Sequence, residues 1–211
     1  MKVYDLSLNY DAKGMVFPGT PPIAKEVFAT AREHGFNMSM VTVNPHTGTH
    51  TDAPFHFVDE GRKLAEVDIN KYVGPCHIVD ARTKPERADI TVEDVKPFEG
   101  VIRQKKRVLF MTDWDRHEGT DKYYEDYPKI SLPLAEYLVE LGVVLVGVEA
   151  PSLNPPLMAE VHRALLGGNV AVVEGLTNLN QIYGKEVIFC APPVKFVEMD
   201  GFPTRAFAIE L

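Results

Sequence analysis

His46-Thr47-Gly48-Thr49-His50-Thr51-Asp52-Ala53-Pro54-Phe55-His56-Phe57 holds three of the seven histidines and a carboxylate within twelve residues. Histidines four apart suggest one helix face, but Pro45, Gly48, Pro54 and three threonines oppose a helix. The chain here is expected to be extended or looped. In a strand His50 and Asp52 share a face about 6–7 Å apart and can reach one ion. A fully extended His46 would lie about 13 Å from His50, so it joins them only if Thr47-Gly48 bends, and Gly48 can bend without steric cost. His56 has the same parity as His50 and Asp52 and sits past the stiffening Pro54, a place suited to a base beside a metal. All these donors are nitrogen or oxygen, which suits Zn²⁺ or Mn²⁺ over thiolate-selected metals.

Outward from this segment, short apolar runs bounded by turn residues recur: Val3–Leu8, Asn37–Val43, Cys76–Val79, Val108–Met111, Val143–Val148, Val170–Val173, Val187–Cys190 and Ala206–Ile209. Their length and β-branching predict buried strands. Helices are fewer. Ser131 can cap a segment with Pro133 in its first turn and Leu134, Tyr137, Leu138 and Leu141 at helical spacing, stopped by Gly142. A second helix is expected from about Pro156 to Leu166, and Thr91–Val95 reads as one capped turn. The fold class is therefore α/β, one domain over residues 1–211 with a mixed sheet and few helices. Four strands end in an acid, Asp80, Asp113, Glu149 and Glu174, and ligand crevices in α/β sheets lie at the carboxyl ends of strands.

Composition narrows the function. With 211 residues, 45% hydrophobic and 25% charged, the chain can bury a full core. A net charge of -8 argues against nucleic acid or an anionic membrane as partner. No apolar run approaches the ~20 residues that span a bilayer. Two cysteines, Cys76 and Cys190, cannot form a disulfide framework or a four-thiolate zinc site. Met1 to Leu6 shows no signal-peptide core. The expectation is a cytoplasmic protein acting on a small molecule.

The pattern H-x-G-T-H-x-D-x-P-x-H-F resembles the signature of the cyclase family of metal-dependent hydrolases, which includes bacterial kynurenine formamidases and isatin hydrolase-like enzymes. Further matches are Phe17-Pro18-Gly19, the loop from Trp114-Asp115-Arg116-His117 through Tyr123 to Tyr127-Pro128, Gly147 to Ser152, and His162 followed by Glu174-Gly175-Leu176. The resemblance implies a swivelling β/β/α-like fold and two divalent ions per chain, Zn²⁺ or Mn²⁺. It implies His46, His50 and Asp52 as ligands, His162 and Glu174 completing a binuclear site, and Asp52 and Glu174 as bridges. His56 becomes the acid/base. Phe17, Phe55, Trp114 and Tyr123 are candidates for an aryl-binding wall, with core packing as their other reading. The implied reaction is cleavage of a C–N amide bond of a small aryl amide, arylformamidase-like as in tryptophan catabolism, in a homodimer or homotetramer. A non-hydrolytic cyclase or dehydratase using the same site is the alternative. Phe17 stands where Trp is usual, Glu149 where Asp is, Asp113 where Gly often is, and Gly175 where Asn is, so N-formylkynurenine itself is in question.

Overall fold

The computed structural model describes residues 1–11 and 16–211. Strand alternation organises it. In the runs His77–Asp80, Arg107–Met111, Leu145–Val148 and Ala171–Glu174, successive side chains point to opposite faces. Val79, Val108, Phe110, Val146, Val148 and Val172 fill one core, and Ile78, Leu109, Met111, Leu145, Ala171 and Val173 fill another. Both faces are covered, so these strands read as unbroken apolar runs. They lie parallel in a six-stranded sheet, with His50–Asp52 antiparallel to Ala171–Glu174 and Gly201–Pro203 antiparallel to His50–Asp52 at the edge.

On the Phe110 face lie two helices, Leu132–Glu140 and Met158–Gly167, which bury Leu134, Leu138, Val161 and Leu165. The Ser131 hydroxyl caps the first by accepting from the Leu134 amide, and Gly142 takes the left-handed conformation after it. On the Leu109 face lies an antiparallel sheet ordered Lys2–Asp5, Phe207–Glu210, Val187–Cys190, Val73–Pro75. Helices, mixed sheet and second sheet stack as three layers, the β/β/α arrangement the resemblance implied.

The capped turn appears as Val92–Val95, while the helix Glu99–Lys105 carried no clear periodic signal in sequence. The expectation of a buried strand over 37–43 needs correction. Met38–Thr42 is a strand, paired with Ala24–Ala29, but all five of its residues are exposed. Its Met and Val residues suggest a core position, yet among the described residues no layer covers the hairpin. Val3 of the first strand is likewise exposed, with Tyr4 and Leu6 turned inward.

Phe110 has no exposed surface and lies in the helix-facing core. Phe110→Ala should lower unfolding free energy by about 3–5 kcal/mol in denaturant titration, by lost burial plus the cavity left behind.

Candidate functional site

Strand register assembles the site. His50 lies opposite Glu174 across the antiparallel ladder, and Asp52 lies opposite Val172. Directly opposed side chains share a face. Val172 belongs to the helix-facing core, so His50, Asp52 and Glu174 all emerge on the side where Met158–Gly167 packs. That helix delivers His162. Its Nε2 lies 3.1 Å from Glu174 Oε1 and 3.6 Å from Asp52 Oδ2. His50 Nε2 lies 3.5 Å from Asp52 Oδ1 and 3.4 Å from Glu174 Oε2. Each carboxylate thus turns one oxygen to His50 and the other to His162.

His46 arrives through the bend expected at Gly48, whose φ is +60°. Its Nδ1 lies 2.9 Å from Asp52 Oδ1. His56 is reached differently from the parity argument. The chain leaves the strand at Asp52 and turns through the 3₁₀ segment Pro54–His56. This lays the His56 ring on that of His46, centroids 3.7 Å apart and 17° from parallel. All six residues therefore converge.

Sequence reasoning missed Asp200. Its Oδ2 lies 3.0 Å from His46 Nε2 and 3.6 Å from His56 Nδ1. A lone acid 154 residues from His46 carries no local signal. The neighbouring Gly201 was equally silent, yet a Cβ there would sit 2.6 Å from His46 Cε1 and 2.8 Å from the Thr51 carbonyl oxygen.

The outer nitrogens of two histidines are held by backbone. His50 Nδ1–H donates to the Gly48 carbonyl at 2.9 Å, and His162 Nδ1–H donates to the Met158 carbonyl at 2.7 Å. A carbonyl only accepts, so each neutral ring must turn a bare Nε2 lone pair toward carboxylate oxygens. That arrangement repels itself unless a proton or a cation lies between. Burial works against charge on Asp52, but the neighbouring His46, His50 and His56 hold its carboxyl well below the usual range. Burial and Asp52 push Glu174 upward, while His162 and His50 outweigh them and leave it lowered. Burial lowers His46, yet Asp200 and Asp52 raise it to about 10. His162 is also raised, Glu174 overcoming its burial. His50 Nε2 and Asp52 Oδ2 are buried with no hydrogen-bond partner, each costing about 1–3 kcal/mol if left so. A divalent cation satisfies both atoms, so the donor set fits a hard or borderline metal.

A cavity of about 250 Å³ opens onto these groups, lined among others by Phe17, His56, Phe57, Ser152 and Met158. An apolar cavity of ~150 Å³ admits benzene, so this one takes an aromatic ring with short substituents. Phe17 lines it. Trp114 does not: its indole is buried in the helix-side core, and its N–H donates to the Tyr123 carbonyl. Its size and burial suit packing, and it is not among the residues that line the cavity. Asp80 pairs with Arg82 at the surface, and Asp113 adopts a left-handed turn before Trp114. Glu149 accepts from the Thr112 amide and hydroxyl and is buried.

The family model Cyclase, described as "Putative cyclase", matches residues 4–155. The kynurenine formamidase of Bacillus cytotoxicus is 33% identical over 207 residues, 96% of this chain and 94% of its own. That of Geobacillus thermodenitrificans is 32% identical over 209 residues with the same coverage. Among solved structures, an isatin hydrolase bound to the product analogue thioisatinate matches with TM-score 0.90 at 19% identity, covering all of this chain and 93% of its own. Isatin hydrolase A from Ralstonia solanacearum matches with TM-score 0.83 at 23% identity, covering 98% of this chain and 91% of its own. These two likenesses show the fold.

Burial, with Asp115 adding to it, pushes the Glu149 carboxyl up from 4.5 to about 7. Between those values the unfolded chain releases a proton that the folded chain keeps, so stability falls as pH rises from about 4.5 to about 7 and is level above. Glu149→Gln should remove this slope, stabilising the protein by about 1–3 kcal/mol at pH 8 and not at pH 4. Denaturant titrations at the two pH values check it.

Proposed function

The chain belongs to the cyclase family, and from that premise we propose that it is a metal-dependent amidohydrolase, cleaving the C–N amide bond of a small aryl amide in the manner of an arylformamidase. The observation that carries this reading is the pair of buried, unpartnered donors, His50 Nε2 and Asp52 Oδ2, inside a converged set of nitrogen and oxygen ligands. Relatives named kynurenine formamidase, matching almost end to end, support the reaction class. The metal would be held by His46, His50, Asp52, His162 and Glu174. Asp52 and Glu174 each turn one oxygen to His50 and the other to His162, which supports a site that could hold two ions. The donor types favour Zn²⁺, with Mn²⁺ second. A divalent ion held there supplies Lewis acidity and acidifies water at neutral pH.

The chain's own groups do the rest. The aromatic edge of Phe17 and the cavity wall at Phe57 and Met158 hold the aryl part. His56, on the cavity wall beside His46 and Asp52, takes the proton of the attacking water and returns it to the departing nitrogen, a role worth about 10²–10⁴-fold. The buried thiols Cys76 and Cys190 are unpaired, which supports a reducing, cytoplasmic setting. Among the described residues no helix is long and apolar enough to cross a membrane.

The assembly we propose is a homodimer closed through the 24–42 hairpin. A two-stranded hairpin is marginal on its own in water, and this one exposes Val27, Phe28, Met38, Met40 and Val41. A second copy would cover those side chains. Sedimentation should give a mass of two chains, and Phe28→Asp with Met40→Asp should shift it to one. A wild-type mass of one chain would count against the dimer.

Metal-loaded protein should release formate from N-formylkynurenine or simple aryl formamides, or open the isatin lactam to the ring-opened carboxylate. Asp52→Ala should lose metal and activity together. His56→Ala should keep its metal and lose a factor of about 10² or more in kcat. Turnover without hydrolytic product would overturn the amidohydrolase reading, and metal loss in His56→Ala would make His56 a ligand.

A further inference from the structure

The edge strand Gly201–Pro203 brings Asp200 against the two stacked imidazoles. Its own backbone is fixed, since the Ala53 amide donates to the Asp200 carbonyl at 2.8 Å. Gly201 leaves room for the His46 ring to reach the carboxylate. One oxygen, Oδ2, then faces His46 Nε2 at 3.0 Å and His56 Nδ1 at 3.6 Å. The first is a hydrogen bond. The second is longer than one but within ion-pair reach, and catalytic hydrogen bonds are often long before substrate binds.

We propose that Asp200 is a positioning residue shared by the metal ligand His46 and the acid/base His56. It orients each ring by accepting the N–H on the nitrogen that faces away from the work. For His46 that leaves Nδ1, already aimed at Asp52, as the donor to the ion. For His56 it selects the Nδ1–H tautomer and leaves the Nε2 lone pair to take a proton from water. A carboxylate behind a metal-bound imidazole and a carboxylate behind a general base are each familiar arrangements. Here a single oxygen serves both, so ion and base are held in one register. Stacking the rings 3.7 Å apart makes this possible, because it brings the two N–H groups to the same side.

The inference rests on the metal-dependent reading above, and the test separates the two. Three readouts are compared in wild type and Asp200→Asn: Zn²⁺ affinity by chelator competition, the tautomer of His56 by ¹⁵N-histidine NMR of the Zn²⁺-loaded protein, and kcat and KM on an aryl formamide. Asp200→Asn should bind Zn²⁺ about 10–100-fold more weakly. The His56 Nδ1–H signal, assigned by its loss in His56→Ala, should give way to mixed tautomers. At saturating Zn²⁺, kcat should fall by about 10-fold or more with KM little changed. Asp200→Glu, which keeps the carboxylate, should recover most of the Zn²⁺ affinity. A Zn²⁺ affinity unchanged in Asp200→Asn, a wild-type His56 carrying its proton on Nε2, or an Asp200→Glu as defective as Asp200→Asn would each overturn the proposal. If the wild type hydrolyses no amide, the functional reading fails, while the affinity and tautomer readouts still decide the role of Asp200.

Discussion

Everything at this site depends on one antiparallel register, His50 against Glu174. The parallel strands of the central sheet bring Glu174 to a carboxyl end, and the site needs a further strand to set another ligand beside it. Inserting His50–Asp52 in the opposite direction does so at once, because opposed residues share a face and the next alternate residue follows them. A slip of one residue would send His50 and Asp52 into the other core, among Leu109, Met111 and Val173. The buried Thr51, whose hydroxyl donates to the Val172 carbonyl at 2.9 Å, helps resist such a slip. Thr49 does similar work at the next turn, donating to the Gly175 carbonyl and accepting from the Leu8 amide.

The polar cluster is buried at an energetic cost that the surrounding packing must outweigh. Two carboxylates and two imidazoles lie almost out of solvent, where isolated charge is expensive. Opposite charge and backbone carbonyls divide the task of compensation. The carbonyls of Gly48 and Met158 set ring orientation, and the carboxylates set the field. Such a cluster is more stable with a cation than without. The fold consequently stores in this place a preference for metal that the helix and sheets around it are rigid enough to enforce.

Much of this was legible before any coordinates. The non-helical reading of 46–57 as extended or looped, the bend at Gly48 and the shared face of His50 and Asp52 follow from local rules about proline, glycine and strand parity. Glu174 and His162 come from the family resemblance, and the helix, turn and strand that join them within twelve residues agree with it. What escaped was non-local or ambiguous. Asp200 meets His46 only after the last edge strand has paired, and nothing near it in sequence marks the meeting. Trp114 reads in sequence as a candidate for the substrate wall, but its indole is buried and its N–H donates to the Tyr123 carbonyl, so packing holds it. The Met-rich run 38–42 looked like core because exposure cannot be told from an alternation that lacks charges. Parity also misled for His56, since Pro54 ends the strand and starts a turn.

The position of Gly201–Pro203 on the outer edge of the central sheet also bears on how the site could come apart. The ligands from 46 to 174 are carried by other strands and by the helix Met158–Gly167, whereas the flank of His46 is closed by this edge strand alongside His50–Asp52. An edge strand is held by one neighbour, so local opening there is cheaper than in the middle of the sheet. The strand acts as a latch on a vessel whose floor the inner strands lay, and slipping it would free the catch while leaving the cup.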